Sequence, residues 1–411
     1  MAARGVMFNP FLPQFRQNPY PHYNNLRILD PVHWSTLGVW VLSRYADVWA
    51  VLRDTRFSAD TRKWNGYQAR YFRQKQGHSS LLANFHSKWM LFLDPPDHTR
   101  LRSLISKAFT PQVVESLRPR IQQIMNELIE SSQSADTIDI IGDLAYPLPI
   151  IVIAEMLGLP VEDCDKLKQW SYELLPSFDP LMSLKVFERI NQVVLEFTDY
   201  FRRIIAQRRN VSCSDLLSKL IIAEEQHDRL TESEIIATSI MLFVAGHETT
   251  VNLIGNSMYA LLKHPEQLIT LKNNPLLIQS AVEELLRYES PVQFTYRMAL
   301  EDVEIGGKTI QQGQQVILCL GAANRDPSQF PDPDSLDITR QDNRHLAFSH
   351  GTHYCLGALL ARAQGQIAIN TLIKRFPYIK LTTEKPEWRE TILLRGLKTL
   401  PVAFRPQTVC N

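Results

Sequence analysis

The sequence predicts a protein in which α-helices dominate and β-strands are few and short. The stretch 110–209 contains long amphipathic runs at helical spacing, of which Val113–Ser131 is one. The run Glu234–Leu262 is helical by its length and its lack of proline, with Gly246 as the one weak point near its middle. Strand-like alternation is confined to short stretches such as Val303–Cys319, where two glycines predict a β-hairpin.

Composition narrows the class of protein. The 411 residues are 45% hydrophobic and 9% aromatic, enough for a large core, and the length alone favours two or three domains. The formal net charge of +1 gives no indication of a nucleic acid or another polyanionic partner. The 5 cysteines are scattered, and their odd number argues against a disulfide framework or a zinc site and fits a reducing cytoplasm.

No hydrophobic segment has the length of a membrane span. The N-terminal stretch Met1–Gln17 lacks a long apolar run, so we expect neither a signal peptide nor an anchor there. The most hydrophobic segments, Pro147–Leu159 and Ile235–Gly246, are shorter than the roughly 20 residues that a bilayer requires. We therefore expect a soluble protein without a stable membrane anchor.

The first elements in chain order are short. Val39–Leu42 predicts a strand, followed directly by a short helix, and the stretch 57–90 has the composition of an ordinary surface loop. The Asp94-Pro95-Pro96 sequence then favours a helix start, because proline is tolerated in the first turn. His98 and Arg102 lie one turn apart in that helix and could hold a carboxylate, although most such pairs are merely solvated.

Polar residues in the middle of the long predicted helix are unusual for a buried element. The sequence from Ala245 to Thr250 places small residues first and then a carboxylate and hydroxyls, and Ala245 and Thr249 share one face. Burying Glu248 without a partner would be costly, so this side chain should be bonded, hydrated or functional. The alternative is a helix bent by its threonines with a surface glutamate.

Three further stretches have ordinary interpretations by themselves. Leu174–Met182 is an apolar, proline-broken loop, typical of a helix–helix connection. Glu284 and Arg287, in a predicted helix Pro275–Tyr288, have the spacing of an exposed ion pair. The segment Ser290–Arg297 predicts an extended strand after a helix-ending proline.

The stretch Phe348–Gly357 places Cys355 in a loop before a helix-like run. A thiolate there would be stabilised by the free N–H groups and positive dipole of the helix start. Gly351 permits unusual backbone conformations, Gly357 permits close approach of a flat partner, and His353 could contact an anionic edge. These features indicate a thiolate that ligates a planar metal cofactor, with a buried inert cysteine as the alternative.

The pattern Phe-x-x-Gly-x-His-x-Cys-x-Gly resembles the haem-binding loop of the cytochrome P450 family, whose cysteine thiolate is the axial iron ligand. The run Ala-Gly-His-Glu-Thr-Thr is similar to the oxygen-activation motif of the same family, and Glu-Leu-Leu-Arg to its Glu-x-x-Arg motif. The resemblance covers nearly the whole chain, and the motifs stand in family order. The main departure is Ser349, where a glycine is frequent.

The resemblance implies roles for individual residues. It implies that Cys355 ligates the haem iron and that Glu248 and Thr249 are catalytic, delivering protons and holding dioxygen. Further haem contacts would come from His98, Arg102, Ala245, Gly246, Arg297, Phe348, His353 and Gly357. A buried structural network would comprise Glu284, Arg287 and Arg340. The substrate pocket would include Phe178, Leu242, Val292, Phe294 and Leu393, with Leu181 and Met182 in a mobile lid and 391–396 as a hairpin tip.

The resemblance also implies a fold and an activity. We expect one domain over 1–411, mainly α with small β-sheets, with haem b between the long central helix and the cysteine loop. The expected reaction inserts one oxygen atom from dioxygen into a C–H or C=C bond of an apolar polyketide, macrolide, terpenoid or fatty-acid-like substrate of secondary metabolism. Electrons from NAD(P)H would arrive through a ferredoxin or flavodoxin with its reductase, and the protein would be a cytoplasmic monomer.

Two other functions would keep the haem. An isomerase, dehydratase or peroxide-using enzyme would turn over unchanged when Thr249 is replaced by alanine. A haem carrier or sensor would show no substrate-driven use of NAD(P)H with redox partners. The intact Glu248–Thr249 pair argues against the first of these.

Overall fold

The computed structural model of the chain describes residues 7–63, 81–132, 137–179, 183–209, 211, 213–225 and 230–405. Cys410 and the predicted lid residues Leu181 and Met182 lie outside the described residues. Helices form most of the described chain, which confirms the predicted fold class. They are α1 (Pro13–Gln17), α2 (Tyr20–Leu29), α3 (Tyr45–Arg53), α4 (Leu81–His86), α5 (Asp97–Ile105), α6 (Pro111–Ser132), α7 (Pro147–Leu157), α8 (Cys164–Leu174), α9 (Leu184–Arg208), α10 (Leu216–Glu225), α11 (Glu232–Lys263), α12 (Pro265–Asn273), α13 (Ile278–Tyr288), α14 (Leu320–Ala323) and α15 (Ala358–Arg375).

Local sequence explains the ends of the longest helices. α6 begins at Pro111. Proline suits this position, because the N–H groups of the first turn have no acceptor within the helix and proline has no N–H to leave unpaired. The Ser183 side chain caps α9 by accepting a hydrogen bond from the amide of Val186 at 3.3 Å. α11 runs for 32 residues through the predicted Glu234–Leu262 stretch. The predicted helix Pro275–Tyr288 instead opens with a 3₁₀ turn, and its α-helical part is α13.

Three small sheets account for the strands. The strands are β1 (Val32–Trp34), β2 (Trp40–Leu42), β3 (Phe57–Ser58), β4 (Thr137–Asp139), β5 (Phe294–Ala299), β6 (Val303–Ile305), β7 (Lys308–Ile310), β8 (Gln315–Cys319), β9 (Tyr378–Leu381) and β10 (Pro401–Arg405). One sheet has the order β1-β2-β8-β5-β3, a second β4-β10-β9, and a third is the β6-β7 hairpin. β2 and β8 pair in parallel, whereas β1 with β2 and β5 with β8 pair antiparallel.

The structure corrects the predicted hairpin over Val303–Cys319. Only β6 and β7 form the hairpin, in register Val303 with Ile310, and Gly306 and Gly307 make the turn with positive φ angles. β8 leaves this pair and joins β5 and β2 in the five-stranded sheet. Alternation of apolar and polar residues could not show whether β8 pairs within the hairpin or with strands elsewhere, because both partners of β8 lie outside the predicted stretch.

The chain divides into two compact units. The first comprises Met1–Phe57, Val114–Leu148 and Thr249–Asn411, and the second Ser58–Val113 and Pro149–Glu248. In the first unit, one buried cluster packs α3 against one face of the five-stranded sheet, and another packs the N-terminal helices against its other face. In the second unit, aromatic rings of α8, α9 and α11 meet around Phe197, whose centroid lies 5.1 Å from that of Trp170.

One apolar stretch is longer in the structure than the sequence suggested. Ile140–Leu157 joins a π-helix to α7, and its 18 residues are long and apolar enough to cross a membrane. However, 67% of this stretch is buried inside the protein. That burial is typical of a core helix. The apolar stretch is therefore longer than we expected, but its packing does not indicate a membrane span.

Candidate active site

The loop around Cys355 is closed by its own backbone. The amide of Cys355 donates a hydrogen bond to the carbonyl of Phe348 at 2.9 Å, across a 3₁₀ turn at Gly351–His353. Gly357 then caps α15. The Cys355 side chain is half-buried and therefore accessible, and it sits one turn before the start of a long helix.

Two residues of this loop have left-handed backbone conformations. Gly351 has a φ of +72°, and a Cβ there would lie 2.5 Å from the carbonyl oxygen of Leu52 at the end of α3. His350 stacks on Trp49 of the same helix, with ring centroids 5.5 Å apart. Gly351 is therefore required both by its φ and by close packing on α3. Ser349 also has a positive φ, of 62°.

The structure brings Glu284, Arg287 and Arg340 together in the first unit. Arg287 donates to both carboxylate oxygens of Glu284 at 2.8 Å, and Arg340 Nε donates to Oε2 at 3.1 Å. Glu284 and Arg287 are fully buried. Glu284 also accepts from Asn343 and from the amide of Asp337 at 3.0 and 2.9 Å.

Arg287 ties this network to the segment before the cysteine loop. Its Nη1 and Nη2 atoms donate to the carbonyls of Asn324, Pro333 and Ser335 at 2.8–3.0 Å. Asn324 in turn accepts from the amide of Leu346 and donates to Ser290. Each buried charge is hydrogen-bonded, which buried ions require.

The middle of α11 combines accessible and buried positions. Ala245 is exposed and Thr249 half-buried, one turn apart, and of the positions beside them only Gly246 is also partly exposed. A Cβ on Gly246 would lie 3.3 Å from Ile153 Cγ1, so only glycine leaves that neighbour undisturbed. An accessible face in the middle of a buried helix is the geometry that a bound group needs.

Glu248 is 1% exposed and has a neighbour that the sequence argument missed. The Nε2 atom of His247 lies 3.5 Å from Glu248 Oε1, and His247 Nδ1 is 2.7 Å from the carbonyl of Phe243. His247 itself is fully buried. The alternative of a surface glutamate is therefore wrong. The sequence did contain a signal for this contact, because His247 stands directly before Glu248 in the Ala-Gly-His-Glu-Thr-Thr motif, at the position where the family motif varies.

The predicted cationic residues fall in both units. His98 (1% exposed) and the half-buried Arg102 lie one turn apart on α5 in the second unit. In the first unit, Arg297 is buried on β5 and donates to the carbonyl of Tyr296 at 2.7 Å, and His353 is half-buried in the cysteine loop. A buried guanidinium favours an anionic partner.

One predicted pocket residue belongs to the core instead. Phe294 is 1% exposed and packs edge-on against Phe8 and Tyr23, with centroids 5.7 and 6.1 Å apart. Because side chains alternate along a strand, Phe294 and Arg297 point to opposite faces of β5. We therefore correct the pocket role predicted for Phe294.

The other predicted pocket residues differ in their exposure. Val292 and Leu393 are half-buried in the first unit, where Val292 pairs with Leu394 through an isolated β-bridge. The segment 391–396 lies at the turn between two short stretches that pair antiparallel through Trp388 and Leu397, in agreement with the predicted hairpin tip. In the second unit, Leu242 is buried on α11, and Phe178 stacks on His86 at 5.9 Å.

The donor set fits haem. Haem is a flat, largely apolar macrocycle with two anionic groups at its edge. Its binding site needs a thiolate for the iron, open space beside that thiolate, and cations for the anionic groups. Cys355 supplies the thiol, no atom lies within 4 Å of where a Cβ on Gly357 would be, and Arg297 supplies a buried guanidinium. In the same unit, the half-buried Thr249 of α11 adds a small hydroxyl side chain.

Comparisons with known proteins agree with this site. A model of the Cytochrome P450 family matches residues 33–400. The biotin biosynthesis cytochrome P450 of Bacillus subtilis is 43% identical over 95% of this chain and 97% of its own length. The polyketide biosynthesis cytochrome P450 PksS of the same organism is 40% identical over 97% of this chain and 99% of its own length.

A crystal structure of P450BioI, in complex with an acyl carrier protein ligated to hexadec-9Z-enoic acid, superposes with a TM-score of 0.89. It is 43% identical and covers 95% of this chain and 99% of that one.

The fold and the match of the family over most of the chain define a haem-thiolate enzyme. The chain belongs to the cytochrome P450 family. It is accordingly a haem-dependent monooxygenase that uses dioxygen and externally supplied electrons to oxidise an apolar substrate. Its relatives are soluble bacterial enzymes, which accords with the burial of its most apolar helix.

Proposed function

We propose that Cys355 is the axial ligand of haem b in this enzyme and that the exposed face of α11 is where dioxygen is activated. The observation that carries this proposal is the accessible thiol at the start of α15, beside open space at Gly357. The dipole of α15 favours the thiolate form at this position. Bound haem supplies the redox chemistry, and the chain supplies the ligand, the proton path and the pocket.

We assign the proton path to Thr249 and Glu248. Thr249 Oγ1 holds a proton at the open face, and the Glu248 carboxylate resupplies it from the buried side of the helix. The Nε2 atom of the adjacent His247 lies 3.5 Å from the Glu248 carboxylate, at ion-pair distance. We assign Arg297, His353, His98 and Arg102 to the haem propionates, which a guanidinium or imidazole donor binds as a charge-assisted pair.

For the substrate, we propose a fatty-acid-like or polyketide chain. The residues that we assign to the substrate pocket include the aliphatic side chains of Leu242, Val292 and Leu393. One relative at 43% identity is a biotin biosynthesis enzyme, one solved structure at 43% identity carries an acyl chain on a carrier protein, and another relative at 40% acts in polyketide biosynthesis. A long apolar chain is the feature that these ligands share.

We further propose that the electrons come from NAD(P)H through a separate ferredoxin or flavodoxin and its reductase, as is typical of the family. The reducing environment in which this system works is the cytoplasm, and the scattered cysteines fit that compartment. We propose that the enzyme acts there as a single-domain monomer.

The test of the haem assignment is the difference spectrum between the reduced protein with and without carbon monoxide. The wild-type protein should give the strongly red-shifted Soret band of thiolate ligation, and Cys355→Ser should lose it. Cys319→Ser is the matched control, because Cys319 is a buried thiol in the core of the sheet. A wild-type spectrum without the red shift, or a shift that survives in Cys355→Ser, would contradict the assignment.

The substrate class is tested by type-I spectral shifts with free fatty acids, carrier-protein-bound acyl chains, macrolides and terpenoids. Acyl or polyketide ligands should shift the spectrum at the lowest concentrations. A preference for terpenoids or macrolides would reject the acyl proposal while leaving the haem assignment intact.

A further inference from the structure

A second ionic cluster lies beside the buried Glu284 network. Arg362, in the second turn of α15, binds Glu283 of α13 through two parallel hydrogen bonds, Nε to Oε1 at 2.6 Å and Nη2 to Oε2 at 2.8 Å. His345 Nε2 lies 3.1 Å from Glu283 Oε2. This two-pronged geometry fixes the guanidinium plane, which a single-point contact would not.

The fixed guanidinium contacts both ends of the cysteine loop. Its central carbon lies 4.5 Å from the centroid of the Phe348 ring, within the range of a cation–π contact. Its Nη1 donates to the hydroxyl of Tyr354 at 3.1 Å. The rings of Phe348 and Tyr354 are also in edge contact, with centroids 6.5 Å apart.

Both of these residues are direct neighbours of Cys355. Phe348 accepts the hydrogen bond from the Cys355 amide at 2.9 Å, and Tyr354 precedes Cys355 directly. A charge on Arg362 therefore acts on the cysteine loop from close range, through one ring and one hydroxyl. Glu283 is adjacent in sequence to Glu284, so α13 braces the region with two carboxylates in a row.

The pair is charged and only partly exposed. The side chains of Arg362 and Glu283 are 22% and 27% exposed, so solvent screens them less than a surface pair. Burial by itself would raise the pKa of Glu283, but the hydrogen bonds from Arg362 and His345 outweigh it and lower the pKa to about 2. The carboxylate is thus ionised throughout the neutral range.

We propose that Arg362 and Glu283 are positioning residues that set the reduction potential of the haem through the Phe348–Tyr354 frame of the Cys355 loop. The proposal rests on the assignment of Cys355 as the haem ligand. Adding an electron to the haem is favoured by nearby positive charge and opposed by nearby negative charge. The two partners should therefore have opposite effects on the potential.

The opposite signs distinguish tuning from a structural role. Arg362→Gln leaves the Glu283 carboxylate uncompensated and should shift the midpoint potential to a lower value. Glu283→Gln leaves the Arg362 guanidinium uncompensated and should shift it to a higher value. If the pair only braced the loop, both variants would break the same contact and shift the potential in the same direction.

The experiment is a spectroelectrochemical titration of the haem-loaded wild type, Arg362→Gln and Glu283→Gln. Arg375→Gln is the control, because Arg375 lies at the other end of α15 and pairs with Glu130 at 3.6 Å on a more exposed surface. It makes the same change of charge on the same helix. Its shift should be clearly smaller than that of Arg362→Gln.

Two outcomes would overturn the proposal: shifts of equal sign in the two variants, or shifts no larger than that of the control. If Arg362→Gln does not retain haem, Arg362→Lys is titrated in its place. The proposal is then supported if Arg362→Lys has a midpoint potential near the wild-type value and Glu283→Gln has a higher one. A lowered potential in Arg362→Lys overturns it. A wild-type protein without thiolate-ligated haem overturns this proposal and the haem assignment together.

Discussion

Ser349 shows how much a single position of the cysteine loop contributes to the stability of the protein. It is the one clear departure from the pattern that the loop resembles, and in the structure its φ is +62°, in the left-handed region that glycine occupies freely. Its hydroxyl is buried and has no hydrogen-bond partner within the described part of the chain. Both features make serine an unfavourable residue at this position.

Ser349→Gly should therefore stabilise the protein. Relief of the left-handed strain is worth roughly 1–2 kcal/mol, of which the greater freedom of glycine in the unfolded chain removes a part. We expect a net gain of about 0.5–1 kcal/mol in the free energy of unfolding, measured by denaturant titration of the haem-loaded protein. Ser349→Ala is the matched control, because it removes the hydroxyl but keeps the strained φ. An equal gain in both variants would show that the hydroxyl, and not the backbone, is responsible.

Residue by residue, the sequence predicted those side chains that stand in a local pattern. Glu248 and Cys355 could be singled out because their neighbours in sequence are also their neighbours in space. Arg362 and Glu283 could not, since 79 positions separate them and their contact depends on how α13 and α15 pack. Phe294 was misplaced because the face of a strand is fixed only when its register is known.

At the scale of the element, the position of α15 depends on one small residue. A Cβ on Gly365 would lie 3.1 Å from Leu253 Cδ2 of α11 and 3.7 Å from Val282 Cγ1 of α13. Three helices thus approach one another where α15 has no side chain. The same helix carries Arg362 and begins directly after the cysteine loop, so its separation from α11 is set at this contact.

Gly365→Leu should force these helices apart. Overpacking a close helix contact costs roughly 1–3 kcal/mol, and we expect that loss in the free energy of unfolding, with weaker retention of haem. Gly365→Ala should be near neutral, because its better helix propensity of about 1 kcal/mol offsets a tight contact with Leu253. Lys374→Leu places the same side chain at an exposed site of α15 and should change little. A Gly365→Leu protein as stable as Lys374→Leu would contradict the packing argument.

Helices were the elements that the sequence predicted best. The bounds of α6, α9 and α11 follow amphipathic runs that local residues begin and end. Strand partners were beyond prediction, because β8 pairs with β5 and β2 from distant parts of the chain. The β6-β7 turn was predictable from local sequence, because its two glycines have positive φ angles.

At the scale of the whole molecule, one half-buried histidine among aromatic rings links stability to pH. His86 stacks on Phe178 and lies 5.0 and 5.1 Å, centroid to centroid, from Trp89 and Phe92. Its Nε2 is 3.3 Å from the hydroxyl of Ser177. Burial in this apolar setting lowers the pKa of His86 to about 3.

The folded protein should therefore lose stability as the pH falls below 6.5. Between the ordinary pKa of 6.5 and the folded value of about 3, His86 binds a proton in the unfolded chain but not in the folded one. This difference lowers the free energy of unfolding by up to about 1.4 kcal/mol per pH unit. Denaturant titrations of the wild type and His86→Phe between pH 7.5 and 5 should show a shallower slope in the variant. Ser177→Ala keeps the histidine and should keep the wild-type slope; equal slopes in all three proteins would refute the linkage.

The family itself was predictable because its motifs are local and their order spans the chain. The substrate preference was not predictable, since the residues proposed for the pocket, such as Phe178 and Leu393, come from connections whose courses no periodicity describes. The substrate class therefore depends on ligand binding rather than on pattern.

The order of the five-stranded sheet has a consequence for how this protein is made. Trp40 on β2 hydrogen-bonds Gln314, 274 positions further along the chain, and β2 lies beside β8 in the finished sheet. At translation rates of roughly 5–20 residues per second, β2 leaves the ribosome about 14 to 55 s before its neighbour β8 does. During that interval the edge of the nascent hairpin is open to other chains. Newly made protein is thus most exposed to aggregation while still attached to the ribosome, and a chaperone that covers residues 32–42 would protect it.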